Sequence, residues 1–145
     1  MKRARMIALS ALFVFVLSAC QSNQSQVDVK YVAEKLISYS QEAIQKTTQN
    51  PRDIGSQERI YQNMETEFQD IMEEDMIKDV QIKIIPFMID ELSSYSLPVQ
   101  VQSIFIENGD SQTLTVKFID QNQKQGDVVL RMQENKGKIS YVGVL

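Results

Sequence analysis

Pro98 divides this chain into two hydrophobic rhythms. Before it, apolar residues recur every three or four positions; after it, they recur every second position. The first rhythm is that of an amphipathic helix, and the second that of a strand with one buried face. A sheet with one apolar face needs cover, and the helices that precede it are the only cover available. The expected fold class is therefore α+β: two or three N-terminal helices packed on a four-stranded antiparallel meander sheet.

The helical part starts with Val29, Val32, Ala33, Leu36, Ile37, Ser40, Ala43 and Ile44 on one stripe, with Asp28 as N-cap and Asn50-Pro51 as the stop. A second stripe holds Ile60, Tyr61, Met64, Phe68, Ile71 and Met72. Its outward face reads Glu65, Glu67, Asp70, Glu73, Glu74 and Asp75. Residues 76–94 fit two descriptions. Val80, Ile84, Phe87, Met88 and Leu92 have helical spacing, whereas Val80, Ile82 and Ile84 alternate like a strand. Pro86 suits the first turn of a helix, so a helix is expected over at least Pro86–Ser93, with 78–85 open.

Four strands follow. Val99, Val101, Ser103 and Phe105 alternate with Gln100, Gln102 and Ile104, and Asn108-Gly109-Asp110 turns the chain. Leu114, Val116 and Phe118 form the next apolar face, then Val128, Leu130 and Met132 after a polar loop. Asn135-Lys136-Gly137 leads into a last strand over Ile139–Val144.

The beginning of the chain is of another kind. Lys2, Arg3 and Arg5 precede the apolar run Met6–Leu17, and Leu17-Ser18-Ala19-Cys20 follows. The run is too short for a permanent membrane span, which needs about 20 residues. This order resembles the lipobox of bacterial lipoproteins. The resemblance implies a signal peptide over 1–19, a diacylglycerol thioether on Cys20, and cleavage that makes Cys20 the new N-terminus. Residues 20–28 then read as lipidated cysteine and flexible tether, and 29–145 as a single α+β domain. The implied location is the bacterial cell envelope, lipid-anchored and extracytoplasmic, on the outer face of the cytoplasmic membrane or in the outer membrane. Gln21 is not the aspartate that retains such proteins at an inner membrane.

Charge and composition remove several function classes. Without Lys2, Arg3 and Arg5, the 15 basic residues fall to 12 against 19 acidic ones, a net charge near −7. Such a balance argues against nucleic acid as a partner. The chain has no histidine, which removes Ser-His-Asp and Cys-His catalysis and histidine-containing zinc sites. Cys20 is the only cysteine, so no internal disulfide forms. No cofactor, metal or catalytic residue is assigned: the acidic residues of the second stripe follow one exposed helix face and lack a calcium-loop spacing. Lys117 and Arg131 fall on one outer sheet face, a place for a small anionic contact.

Helices followed by a four-stranded meander look like the small nuclear transport factor two-like and cystatin-like α+β folds found in exported bacterial lipoproteins. In the former, the resemblance implies a pocket between helices and sheet. The inward sheet positions Val99, Val101, Leu114, Val116, Phe118, Val128, Leu130 and Met132 would make such a pocket apolar. Cystatin-type protease inhibition does not carry over, since Gln100-Val101-Gln102-Ser103 lacks the family's glycine. The expected function is a non-catalytic binding or assembly module contacting an envelope protein. The alternative is a carrier or sensor of a small apolar ligand. Met64, Phe68, Met72 and Met76 form the candidate partner surface, because the thioether conforms to irregular partners.

Overall fold

The computed structural model describes residues 27–145. The lipobox, Cys20 and the tether up to residue 26 lie outside the described residues. Val27 and Asp28 belong to the fold and not to the tether. Val27 is buried and its N–H donates to Glu134 Oε2 at 3.4 Å. Asp28 Oδ1 accepts from the Lys30 and Tyr31 N–H groups, which caps α1 (Val29–Gln49). The stripe read from the sequence is the buried face of this helix, with Tyr39 added to it and Ile44 only partly buried. Buried Ser40 is satisfied locally by donating to the Leu36 carbonyl at 2.7 Å.

Helix α2 (Ile54–Phe68) is capped by Asp53 and ends earlier than its stripe suggests. Ile71 and Met72 still follow the helical spacing, yet here the chain turns to reach the sheet. Met72 forms an isolated parallel bridge with Ile139. The Ile139 N–H donates to the Ile71 carbonyl at 2.8 Å, and the Glu73 N–H donates to the Ile139 carbonyl at 2.9 Å. Backbone pairing with the sheet edge replaces the helix ladder at this point.

The ambiguous stretch is helical as far as Leu92, with Ser93 and Ser94 in the turn that follows. Helix α3 (Glu74–Asp79) runs through a π-helical turn (Val80–Ile84) into α4 (Ile85–Leu92) without a break. The Ile85 N–H bonds to the Val80 carbonyl, five residues back. In an unbroken α-helix the Pro86 ring would clash with the carbonyl of Ile82 and leave it without a donor. The wide turn just before Pro86 relieves that conflict. Val80, Ile84, Ile85, Met88 and Leu92 are buried, whereas Ile82 is exposed. Helical period therefore prevails over the apparent alternation.

The sheet is an antiparallel meander in the order β1 (Gln100–Glu107), β2 (Gln112–Ile119), β3 (Gln125–Asn135) and β4 (Lys138–Val144). The chain enters it through a cis Leu97–Pro98 peptide. Leu114, Val116, Phe118, Val128, Leu130 and Met132 face inward and are buried, in the register expected. β1 differs. Val101 pairs with Phe118 and Ser103 with Lys117, so Gln102 is an extra residue, a β-bulge. Beyond it the faces exchange. Ile104 and Ile106 pack against the core, and Phe105 points outward with 56% of its surface exposed.

The helices cover the inner face of this sheet, and α1 packs against α2 and α4. Met64, Phe68 and Met72 are fully buried between the layers, and Met76 is nearly so. The four do not form a surface. Each falls at a core-facing position of α2, of the turn after it, or of α3, where burial removes the apolar side chain from water.

Candidate functional site

The bulge and the outward residues of three strands build a groove on the uncovered face of the sheet. Gln102 is the bulged residue, Ser103, Lys117 and Asp127 form one cross-strand row, and Ile119 pairs with Gln125 in the next. Together with the backbone of Phe118 and Gly126 they enclose about 490 Å³. Ligand sites typically measure about 300–1,000 Å³. The bulge brings Gln102 among the residues that line the groove.

Lys117 and Asp127 stand directly opposite each other on β2 and β3 but make no ion pair among the described residues. The Lys117 ammonium leans the other way, 5.4 Å from the centre of the Phe105 ring on β1. The Lys117 ammonium is thus turned toward Phe105, which does not line the groove, while Asp127 stands on β3. Among the described residues, the side chains of Gln102, Ser103, Gln125 and Asp127 have no hydrogen-bond partner within the protein.

The neighbouring loop shows the opposite arrangement. Asp120, only 4% exposed, accepts from the N–H groups of Ser96 at 2.9 Å and of Asn122 and Lys124 at 2.8 Å. The Ser96 N–H foremost, helped by those of Lys124 and Asn122, holds its carboxyl below the usual aspartate range. Asn122 donates to Ser96 Oγ, and Lys124 lies 4.2 Å from the Tyr95 ring centre. This loop fixes the β2–β3 end of the groove, and its polar capacity is spent internally.

A second polar cluster joins α1 to α2. Glu67, assigned by spacing to an outward face, turns to α1 and accepts from the hydroxyls of Tyr31 and Tyr39 and from Lys35 at 2.7 Å. Burial opposes its ionisation, but Lys35 and the two phenols outweigh burial and hold the carboxyl below its ordinary range. Burial and the bond to Glu67 raise the Tyr39 phenol far above its ordinary value. Each group is moved away from neutrality, the reverse of what a general acid or base needs. The cluster is an interhelical clamp. The spacing of Tyr31, Lys35 and Tyr39 on α1, one turn apart each, was its sequence signal.

The remaining acidic residues are dispersed: Glu74 pairs with Lys78 at 2.7 Å, and no group of three or more potential metal ligands occurs among the described residues. Lys117 and Arg131 do share the outer face, but Lys117 pairs with Asp127 and Arg131 with Thr113. Asp127 and Arg131 are four positions apart on β3, which leaves Lys117 and Arg131 roughly 13 Å apart along the strands, two separate charges and not one anion site. Two smaller concavities lie at the α1–α2 turn and beside Pro98. None of these three hollows is lined by Leu114, Val116, Leu130 or Met132, which fill the space between helices and sheet.

Compared with known proteins, the chain matches no family model, no curated protein and no solved structure.

Proposed function

We propose that this protein is a lipid-anchored, extracytoplasmic binding module of the bacterial cell envelope. It is held to the membrane by acyl chains on Cys20 and meets a partner protein through the outer face of its sheet. The observation that carries this reading is the ordered start of the chain: Lys2, Arg3 and Arg5, the apolar run to Leu17, then Ser18-Ala19-Cys20. Two or more acyl chains give stable anchoring at about 0.8 kcal/mol per buried methylene. No helix of the described residues is long and apolar enough to cross a membrane.

The absence of histidine supports a non-catalytic role, as does the displacement of Glu67 and Tyr39 away from neutrality. The sheet supports the choice of surface. Phe105 and Tyr141 are exposed on its outer face, which no element of the described chain covers. The tether meets the fold at one end of the sheet. Val27 is held beside Glu134 at the β3–β4 end, and six residues of 3.3–3.6 Å each reach about 20 Å to Cys20. Asp127 lies near the opposite end of β3, about 23 Å farther along the strand. The groove therefore lies at the end of the sheet remote from the point where the tether attaches.

Two measurements in cells test the proposal. Wild-type protein incorporates labelled palmitate and sediments with membranes, whereas Cys20→Ala incorporates none and moves to the soluble fraction. A photo-crosslinking residue at Phe105 captures an envelope protein, and one at Ile54 on the helical side does not. Membrane retention of Cys20→Ala with an intact leader, or equal crosslinking from both positions, overturns it.

A further inference from the structure

We propose that Asn108, in the turn between β1 and β2, is a site of spontaneous covalent modification: the Gly109 backbone nitrogen closes on its side-chain amide, ammonia leaves, and the residue becomes aspartyl or isoaspartyl. The site needs no partner and does not depend on the anchor at Cys20.

Residues Asn108 to Ser111 join the two strands. Asn108 and Gly109 are exposed, and among the described residues the Gly109 N–H has no hydrogen-bond acceptor. The fold does not require glycine here. Its φ lies outside the left-handed region, and an added Cβ would come no nearer than 3.5 Å to the Ser111 carbonyl oxygen. What the missing side chain leaves is an unshielded nitrogen on the residue type with the freest backbone. Gln112 Nε2 donates to Asn108 Oδ1 at 3.4 Å, which polarises the carbonyl under attack. The other described asparagines lack these conditions. Pro51 after Asn50 has no N–H. Met64 after Asn63 lies inside the α2 ladder, and Gln123 after Asn122 donates its N–H to the Asp120 carbonyl at 3.1 Å. Asn135 gives its amide to Glu73 Oε1 at 3.4 Å and precedes Lys136, whose Cβ shields the nitrogen.

The reaction needs only water. Solvent takes the Gly109 amide proton, and the nitrogen forms a bond to Asn108 Cγ. The bond from Cγ to Nδ2 breaks, and that nitrogen takes up a proton and leaves as ammonia. Water then opens the cyclic imide at either carbonyl: at Cγ it gives aspartate, and at the backbone carbonyl carbon it gives isoaspartate. No atom is oxidised or reduced. The product places a carboxylate between Glu107 and Asp110, and the isoaspartyl form adds a methylene to the main chain of the turn.

The test keeps the full chain, purified in detergent, in mildly alkaline buffer well below its melting temperature. Mass spectrometry follows the peptide around residue 108, and an isoaspartyl methyltransferase labels the branched product. Asn108 is expected to gain one mass unit and to yield both products, while Asn122 and Asn135 stay unchanged over the same period. Gly109→Ala is expected to slow the conversion about 10-fold or more, since the methyl group shields the nitrogen and stiffens the backbone. Its melting temperature should not move, because the added Cβ makes only ordinary contact. Gln112→Ala removes the donor to Asn108 and is expected to slow the conversion less than Gly109→Ala does. Conversion of Asn108 no faster than that of Asn122 and Asn135, aspartate without isoaspartate, or an undiminished rate in Gly109→Ala overturns the proposal. An undiminished rate in Gln112→Ala overturns the polarising role of Gln112.

Discussion

Tyr95 and Phe118 meet edge to face, their ring centres 5.0 Å apart and their planes at 81°, directly over Gly126. The glycine sits at an inward position of β3, opposite Phe118 on β2, where any side chain would occupy the place of these rings. A Cβ on residue 126 would lie 2.6 Å from Phe118 Cε2. Gly126→Ala therefore forces two aromatic rings to move in a packed interior, and overpacking of this kind costs about 1–3 kcal/mol. Urea denaturation with a lowered midpoint and an unchanged slope checks it.

Two phenylalanines distinguish the faces of the sheet. Phe118 is buried and Phe105 is largely exposed. Phe118→Ala is expected to destabilise by about 3–5 kcal/mol. Phe105→Ala stays within about 0.5 kcal/mol, because it leaves no cavity. Equal costs at the two positions would place the β1 bulge elsewhere and rebuild the groove with it.

How far these features can be read from the chain depends on how local their causes are. Helix α1 is legible from end to end because its stripe, the Asp28 cap and the Asn50-Pro51 stop are all short-range signals. The inward faces of β2 and β3 follow from alternation alone. β1 does not, since Val101, Ser103 and Phe105 alternate without interruption in the sequence and only pairing with β2 exposes Gln102 as the extra residue. The end of α2 is hidden for a similar reason. Met72 keeps its helical spacing while its backbone neighbours pair with Ile139, far along the chain. The groove draws Gln102, Lys117 and Asp127 from three strands, so no contiguous motif announces it.

The Glu67 clamp predicts a loss of stability in acid. The folded carboxyl titrates below its ordinary value of 4.5, so the folded state binds the proton less readily than the unfolded chain. Its contribution is fully present above the ordinary value and disappears as pH falls through the lowered one. Asp120, also lowered, acts in the same direction below its ordinary value of 3.8. Urea midpoints measured from pH 7 to 3 should fall steadily below about pH 4.5, with Glu67 and Asp120 contributing in the same direction. Glu67→Gln should cost about 1–3 kcal/mol at pH 7 and flatten the acid limb, leaving the part of Asp120 and the smaller, solvent-exposed parts of Asp53 and Glu74. Tyr39 acts at the other extreme. Its phenol is raised, so its contribution is present below the ordinary value of 10.0 and lost as pH rises above it. Tyr39→Phe should flatten the alkaline limb, leaving the Tyr31 part, and also shrink the acid limb, because the Tyr39 hydroxyl is one of the donors that hold Glu67 low.

Met64, Phe68, Met72 and Met76 separate a core role from a recognition role by experiment. A recognition surface built from them would tolerate alanine with little change in stability and would lose its partner. Burial predicts the opposite pattern. Met64→Ala and Met72→Ala should cost about 2–5 kcal/mol and Phe68→Ala about 3–5 kcal/mol, each leaving a cavity among fixed neighbours. Crosslinking from Phe105 should persist at temperatures where those variants remain folded. Met76 carries an additional load, because its sulfur accepts the Val142 N–H of the edge strand β4 at 3.2 Å. Met76→Leu conserves volume, so packing alone predicts a cost under about 1.5 kcal/mol. Loss of the acceptor leaves a buried N–H unpaired, which adds about 1–3 kcal/mol. Amide exchange at Val142 reads that term directly: it should accelerate in Met76→Leu more than at neighbouring β4 positions. Uniform acceleration along β4 would instead assign the whole cost to repacking.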